Sequence, residues 1–298
     1  MKRKSHISLL YILAAGCMWG CMGLAVRPLN ENGLKTMDIT FLRGIITAMA
    51  MFVGLFLFDK KSLKIRIKDI WCFVGTGALS VCFFNYCYFK TITLTSLSVA
   101  AVLLYLAPAF VMLMSAPLFR EKITGVKLIA VIMALFGCAM VSGIMGGNAT
   151  LSGMGILYGI GSGFGYALYS IFGRYALNKG YNSLTITFYT FLFCSISSIL
   201  YINPAKVVGT VLYTEGLLVW TVGMMLFVTL FPYLAYTKGL QKVENGTASV
   251  VASIEPVVAT VLGILIYKEE MDFVILLGMI CVLGSVVLIN LAEKIVQK

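Results

Sequence analysis

Apolar stretches of roughly 18 to 25 residues, the length that carries a helix across a bilayer, recur from one end of the chain to the other. They cover residues 7–26, 38–58, 70–89, 95–117, 125–144, 153–174, 184–202, 215–236, 246–267 and 272–292. A helix rising about 1.5 Å per residue crosses about 30 Å of hydrocarbon over each of them. The pattern predicts ten membrane helices joined by short loops, with no room for a soluble domain. Composition agrees: 60% of residues are hydrophobic and 12% charged, and the mean hydropathy is +0.97. Those values exclude the soluble-enzyme and nucleic-acid-binding classes.

Charge adds an orientation. The net charge of +11 is a topology signal rather than a nucleic-acid patch, because its distribution is one-sided. With both termini cytoplasmic, the inside segments hold Lys2, Arg3, Lys4, the run Lys60 to Lys68, Arg120, Lys122, Lys127, Arg174, Lys179, Lys238, Lys242, Lys294 and Lys298. The outside segments hold Arg27, Lys35, Lys90, Lys206 and Lys268, and Arg43 lies within the second stretch. That asymmetry is the positive-inside rule and implies a multi-pass protein of the plasma (inner) membrane. The eight cysteines all fall in apolar stretches and the one histidine is His6, so neither a metal site nor a disulfide framework is expected. "LAAGC", ending at Cys17, resembles a lipoprotein cleavage box, but the apolar stretch runs on to Val26 and reads as a first membrane helix. "GGNAT" holds an Asn148 glycosylation sequon, meaningful only in a secretory pathway.

The two halves repeat. Tyr88, Lys90, Ala100, Val102, Pro108 and Glu121 match Tyr236, Lys238, Ala248, Val250, Pro256 and Glu269 at a constant spacing of 148. Tyr11, Gly16, Trp19 and Arg27 correspond to Tyr158, Gly163, Tyr166 and Arg174 at a spacing of 147. The halves divide as residues 1–146 and 147–298. Each carries five helices, and five is odd, so the second half must enter the membrane upside down relative to the first. Inverted repeats of this kind are an architecture of secondary transporters, in which one half rocks against the other about a central site.

"MWGCMGLAVR", Arg43, "AAVLLYLAPAFVMLMSAPLFREKI" and "ASVVASIEPVVATVLGILIYKEE" together resemble the EamA-like branch of the drug/metabolite transporter superfamily over essentially the whole chain. The resemblance implies a ten-helix fold of two inverted five-helix repeats around a central substrate cavity. It also implies movement of amino acids or other small metabolites, commonly outward. Two departures stand out: Tyr166 replaces the aromatic Trp19 in the second half, and no arginine matches Arg43.

Within that frame a few residues could carry chemistry. Pro108 and Pro256 fall near mid-membrane, where a proline kinks its helix and frees a carbonyl. Irregular backbone survives there only beside protein or a watery cavity, so the fourth and ninth helices should line the central site. Glu255 costs roughly 2.5–3.5 kcal/mol at a bilayer centre if ionised. It suits a proton carrier or a partner for a substrate ammonium; the plainer alternative is a neutral acid bonded to backbone or to Ser253. Arg43 lies about 8 Å and Glu255 about 18 Å below the outer boundary by helical rise, so no direct pair is expected. Arg43 either meets a substrate carboxylate, pairs with Asp38 or snorkels outward. Trp19, Asn85, Tyr105 and Tyr166 fit a mostly apolar cavity with a few polar groups, although Asn85 reads equally as interhelical glue. Gly155, Gly159 and Gly163, four apart, read as a close-packing stripe.

The expectation is a secondary active exporter of small metabolites, amino acids or related amphiphiles, working by alternating access. Its partners are a small-molecule substrate, the lipid bilayer and a proton or solute counter-gradient; no cofactor, metal or nucleic acid is expected and the oligomeric state stays open. Two alternatives are a multidrug or nucleotide-sugar carrier on the same fold and a membrane enzyme or accessory factor without a transport cycle. A nucleotide sugar would need several cations in the cavity, and an enzyme would need nucleophile or base constellations that one histidine does not supply.

Overall fold

The computed structural model describes residues 2–142, 152–268 and 272–296; Asn148 and Glu269 lie outside the described residues. All regular structure among the described residues is helical. The first half runs α1 (Lys2–Gly20), α2 (Met22–Glu31), α3 (Thr36–Phe58), α4 (Ile70–Val74), α5 (Phe83–Leu94), α6 (Leu97–Leu104), α7 (Ala107–Phe119) and α8 (Gly125–Val141). The second runs α9 (Gly153–Asn178), α10 (Ser183–Ser198), α11 (Pro204–Tyr213), α12 (Leu217–Met225), α13 (Phe231–Leu240), α14 (Asn245–Ala252), α15 (Glu255–Tyr267) and α16 (Phe273–Val296).

Among the described residues, seven helical stretches are long and apolar enough to cross a membrane: Ile7–Glu31, Thr36–Phe58, Ile67–Leu94, Leu97–Phe119, Ser183–Tyr201, Leu217–Leu240 and Asn245–Tyr267. Gly125–Val141 and Phe273–Ile289 are shorter apolar helices, and glycine-rich α9 stands apart from both groups. Leu57, Phe58, Leu113, Val219 and Leu265 are exposed on the outer faces, where lipid is the natural solvent. The chain is therefore an all-helical polytopic membrane protein.

The prolines do more than kink. The Leu97–Phe119 stretch breaks at Tyr105–Leu106 and restarts as α7, with Pro108 in its first turn. Asn245–Tyr267 breaks at Ser253–Ile254 and restarts as α15 with Pro256 in its first turn. A proline there forfeits nothing, because first-turn N–H groups have no intrahelical partner. Both restarted helices end on a left-handed residue, Arg120 (φ 58°) and Lys268 (φ 58°), again 148 positions apart. The third and eighth stretches each carry a π-helical segment, Gly75–Cys82 and Leu226–Leu230, whose ends coincide at the same spacing.

Glycines seat the broken helices. A Cβ on Gly16 would stand 3.0 Å from the carbonyl oxygen of Ala252, and one on Gly163 would stand 2.6 Å from that of Leu103 and 3.3 Å from that of Leu104. The Leu104 and Ala252 carbonyls lie four residues before the prolines, so these are the oxygens a continuous helix would have bonded. Gly159 and Gly155 approach Leu103 and Thr95 in the same way, which makes the glycine stripe of α9 an internal packing face.

One helix was not anticipated. Residues 203–214 read as a loop, yet α11 occupies them. Asn203 caps it by accepting from the Lys206 N–H at 3.2 Å, Pro204 starts it, and Val207 and Val211 bury one face beside Leu29 and Leu34. Ten residues are too few to span a bilayer, so the hydropathy pattern passed over it.

Candidate functional site

A cavity of about 430 Å³ lies between α1–α3, the π-interrupted helices and the two broken ones. It opens on the face that carries the residue 32–35 loop, with Arg27, Asn30 and Thr36 near its mouth. Trp19, Arg43, Asn85, Tyr105, Tyr166 and Glu255 all line it. Periodicity had placed these six on six separate helical stretches; the fold brings them around one cavity.

Glu255 is the first residue of α15 and is partly buried. A carboxylate in a helix's first turn interacts favourably with the positive end of the helix dipole, by roughly 0.3–1 kcal/mol at exposed sites. Ser253, the sequence-level candidate for its partner, instead donates to the Ser249 carbonyl at 3.1 Å. Tyr166 and Glu255 share a small void with Tyr105 and Pro108.

Arg43 is only 7% exposed and neither snorkels nor pairs with Asp38. Its Nε donates to Thr229 Oγ1 at 3.1 Å, while Asp38 accepts from the Lys35 N–H at 2.8 Å and caps α3. Thr229 sits in the second π-helical segment, and such segments often re-aim side chains at functional sites. At the place in α10 that matches Arg43, Thr190 makes the corresponding bond across the halves, to Thr76 Oγ1 at 2.7 Å in the first π segment. Among the described residues Arg43 and Glu255 form no ion pair, and both line the cavity.

Asn85 donates its amide to the Val81 carbonyl at 2.7 Å, inside its own helix and not across to another, so its Oδ1 is the atom left for a solute. Trp19 is 6% exposed and its indole Nε1 finds no acceptor among the described residues. An unpaired buried N–H costs about 1–3 kcal/mol, which a ligand acceptor in the cavity would relieve. Trp19 packs on Tyr166, Tyr233 and Tyr236 with ring centroids 6.3, 5.1 and 5.4 Å away. Tyr169 reaches the same cluster at 4.9 Å from Tyr233 and is locked to Thr237 Oγ1 at 2.6 Å. This aromatic floor ends the cavity. Sequence reasoning missed Tyr233, which lines it; its position directly after Pro232 and the π segment was the available signal.

Beyond the floor, the opposite face is bolted shut. Arg174 Nε donates to Asn245 Oδ1 at 2.9 Å, and its two terminal nitrogens donate to the Leu240 and Val243 carbonyls. Glu121 accepts from the N–H groups of Asn245 and Gly246 at 2.7 and 3.1 Å. Lys127 pairs with Glu244. A second knot centres on Asp69, fully buried, which takes hydrogen bonds from Arg66 and Lys179, each at 2.7 Å, and from Tyr181 at 2.9 Å. Sequence reading had counted Arg174 as a topology charge and as the repeat match of Arg27.

Against known proteins, the EamA-like transporter family matches residues 6–143 and again 153–291. The chain is 27% identical over 281 residues to an uncharacterized transporter of Archaeoglobus fulgidus, covering 93% of this chain and 94% of that protein. It is 25% identical over 296 residues to the uncharacterized inner membrane transporter YicL of Salmonella typhimurium, covering 96% of each. A crystal structure superposes with a TM-score of 0.80 at 15% identity, over 98% of this chain and 99% of the other.

Proposed function

Because the chain belongs to the EamA-like transporter family, we propose that it is a secondary transporter that moves small zwitterionic amphiphiles, amino acids or close relatives, outward by alternating access. One observation carries the reading. Arg43 and Glu255, charged residues of two different spans, line a single cavity with the unpaired Trp19 indole between aromatic walls. A guanidinium suits a carboxylate, a carboxyl suits an ammonium or a proton, and aromatic rings suit an apolar side chain.

The architecture we propose is ten membrane helices in two inverted five-helix repeats, residues 1–146 and 147–298. The double family match, the paired helix breaks and the paired left-handed residues support it. A cavity open on one face and bolted on the other is what one end state of an alternating-access cycle requires. The bolted face carries Arg66, Lys127, Arg174 and Lys179, and the positive-inside rule makes such a face cytoplasmic. Both termini then lie in the cytoplasm, in the plasma membrane, and the cavity faces out. Glu255 is the proton-coupling group in this scheme.

Flux from amino-acid-loaded proteoliposomes, with and without an imposed pH gradient, tests the scheme for wild type and Glu255→Gln. Gradient-driven flux should vanish in the variant while exchange persists. Full gradient-driven flux in Glu255→Gln would overturn the role of Glu255.

A further inference from the structure

The main cavity has a side arm. A second space of about 270 Å³ shares Gly23, Arg27 and Leu97 with it and continues between α1–α2 and α15. The far wall is a ridge of α15: Ala259, Gly263 and Tyr267 line the arm, and Glu255, four residues earlier, lines the main cavity. Residues four apart share a helix face, so one ridge leads from the carboxyl into the arm. From Glu255 to Gly263 it climbs about 12 Å.

Small residues open this space. A Cβ on Gly23 would meet no atom within 4 Å, whereas one on Gly20, a turn earlier, would stand 2.6 Å from Val258 and 2.8 Å from the Glu255 carbonyl oxygen. Gly20 therefore clamps α1 to α15 beside the acid, and Gly23 is the doorway above that clamp. The other half fills the same ridge: Ala107, Val111, Ser115 and Phe119 stand where Glu255, Ala259, Gly263 and Tyr267 do. Val111 and Ser115 are buried, and Ser170 stands where Gly23 does. At the outer end, the Arg27 guanidinium lies 3.5 Å over the Tyr267 ring, a cation–π cap. Between head site and cap the walls are almost wholly apolar.

We propose that this arm holds the apolar tail of the transported solute, so that the substrate is an amphiphile with a zwitterionic head at Arg43 and Glu255 and an unbranched apolar chain along α15. The inference rests on the head-group reading above. The walls shared at Gly23, Arg27 and Leu97 set the arm against the solute cavity, and that adjacency favours the solute's tail over a separate bilayer lipid at the exposed Ala259 side. Small residues at 259 and 263 set the width, and the Arg27–Tyr267 cap sets the length.

A homologous series of straight-chain α-amino acids, from alanine through norleucine to 2-aminooctanoate, tests it as competitors for binding to the purified full chain. In wild type each methylene should tighten binding about fourfold, the equivalent of ~0.8 kcal/mol per buried CH₂, until the chain reaches the cap. Gly23→Leu, which adds a side chain into empty space, and Ala259→Leu, from the facing wall, should each cut the long-to-short affinity ratio at least tenfold. Should one variant fold poorly, the other reads the same ratio.

An equal slope in wild type and both variants would overturn the arm, as would a flat slope in wild type with short members still bound. Phospholipid that copurifies with wild type and is lost in Gly23→Leu, together with that flat slope, would assign the groove to lipid. If no member of the series binds at all, the head-group reading fails first and the tail assignment goes with it.

Discussion

Glu121 caps a helix 124 residues away: its two carboxylate oxygens take the N–H groups of Asn245 and Gly246 at 2.7 and 3.1 Å. In the first half the matching helix is capped locally, by Ser96 accepting from the Val99 N–H at 3.2 Å. Residue Glu244, at the N-cap of α14, makes no such bond and pairs with Lys127 instead. The end of α14 is thus completed by the other half of the protein, and only while the two halves touch on this face.

Glu121→Ala should therefore loosen that face specifically. Losing an N-cap acceptor costs about 0.5–2 kcal/mol, and in the proposed alternating-access cycle that cost falls on the state in which this face is closed. A cysteine placed at Ser249, buried behind the latch, should react several-fold faster with a membrane-impermeant maleimide from the Arg174 side in the variant. The background for that assay replaces the eight native cysteines. Unchanged labelling would remove Glu121 from the latch.

Arg174→Lys should open the same face although it keeps the charge. Three acceptors at fixed angles fit a guanidinium, and an ammonium cannot serve them in that geometry. The double variant with Glu121→Ala should add less than the sum of the single effects, because both act on the 240–246 segment. Strict additivity in the labelling assay would argue against one shared latch.

Thr229→Val tests how Arg43 is held. The methyl keeps the volume and removes the acceptor of the Arg43 Nε–H, leaving a buried donor unpaired at about 1–3 kcal/mol. Solute affinity should fall about tenfold, less than for Arg43→Gln, and fold stability should change little beyond that donor's cost. Equal affinity in Thr229→Val and wild type would show that Arg43 needs no positioning.

Gly163→Ala should lower the yield of folded protein. Its methyl would meet the Leu103 carbonyl oxygen at 2.6 Å, a rigid backbone atom at the broken helix, and overpacking of this sort costs about 1–3 kcal/mol. Gly23→Ala, in open space, is the control. Thermal unfolding in detergent should separate the two by several degrees.

Asp69→Asn should weaken the second knot on the latched face. The buried carboxylate serves Arg66, Lys179 and Tyr181 together, and the amide can accept at only one of its two terminal atoms. The partner side chains are 56% and 31% exposed for Arg66 and Lys179, so water compensates them and the loss should stay below that for a fully buried pair. A drop in unfolding temperature without a change in solute affinity is the expected result.

Local rules reach a definite distance into this protein. Hydropathy placed the apolar stretches, because a spanning helix must satisfy its backbone internally and clothe itself in apolar side chains. The register of the halves placed Pro108 beside Pro256, and those positions hold the paired helix breaks. The same reasoning passed over α11, whose ten residues are too short to leave a spanning signal. It left Arg43 between Asp38, the membrane surface and a solute, and it read Arg174 as a topology charge at the end of its span.

The sequence by itself determined that the chain is helical, membrane-embedded, doubled in register and marked by two matched prolines in mid-span, because those properties follow from composition and spacing along the backbone. Only the tertiary structure decided that Thr229 holds Arg43, that Glu121 completes α14, and that Gly23 opens a space where Gly20 closes one. Each of those depends on which atoms two distant helices bring within a few ångströms, and at that scale a hydrogen bond or a missing methyl group outweighs any periodic pattern.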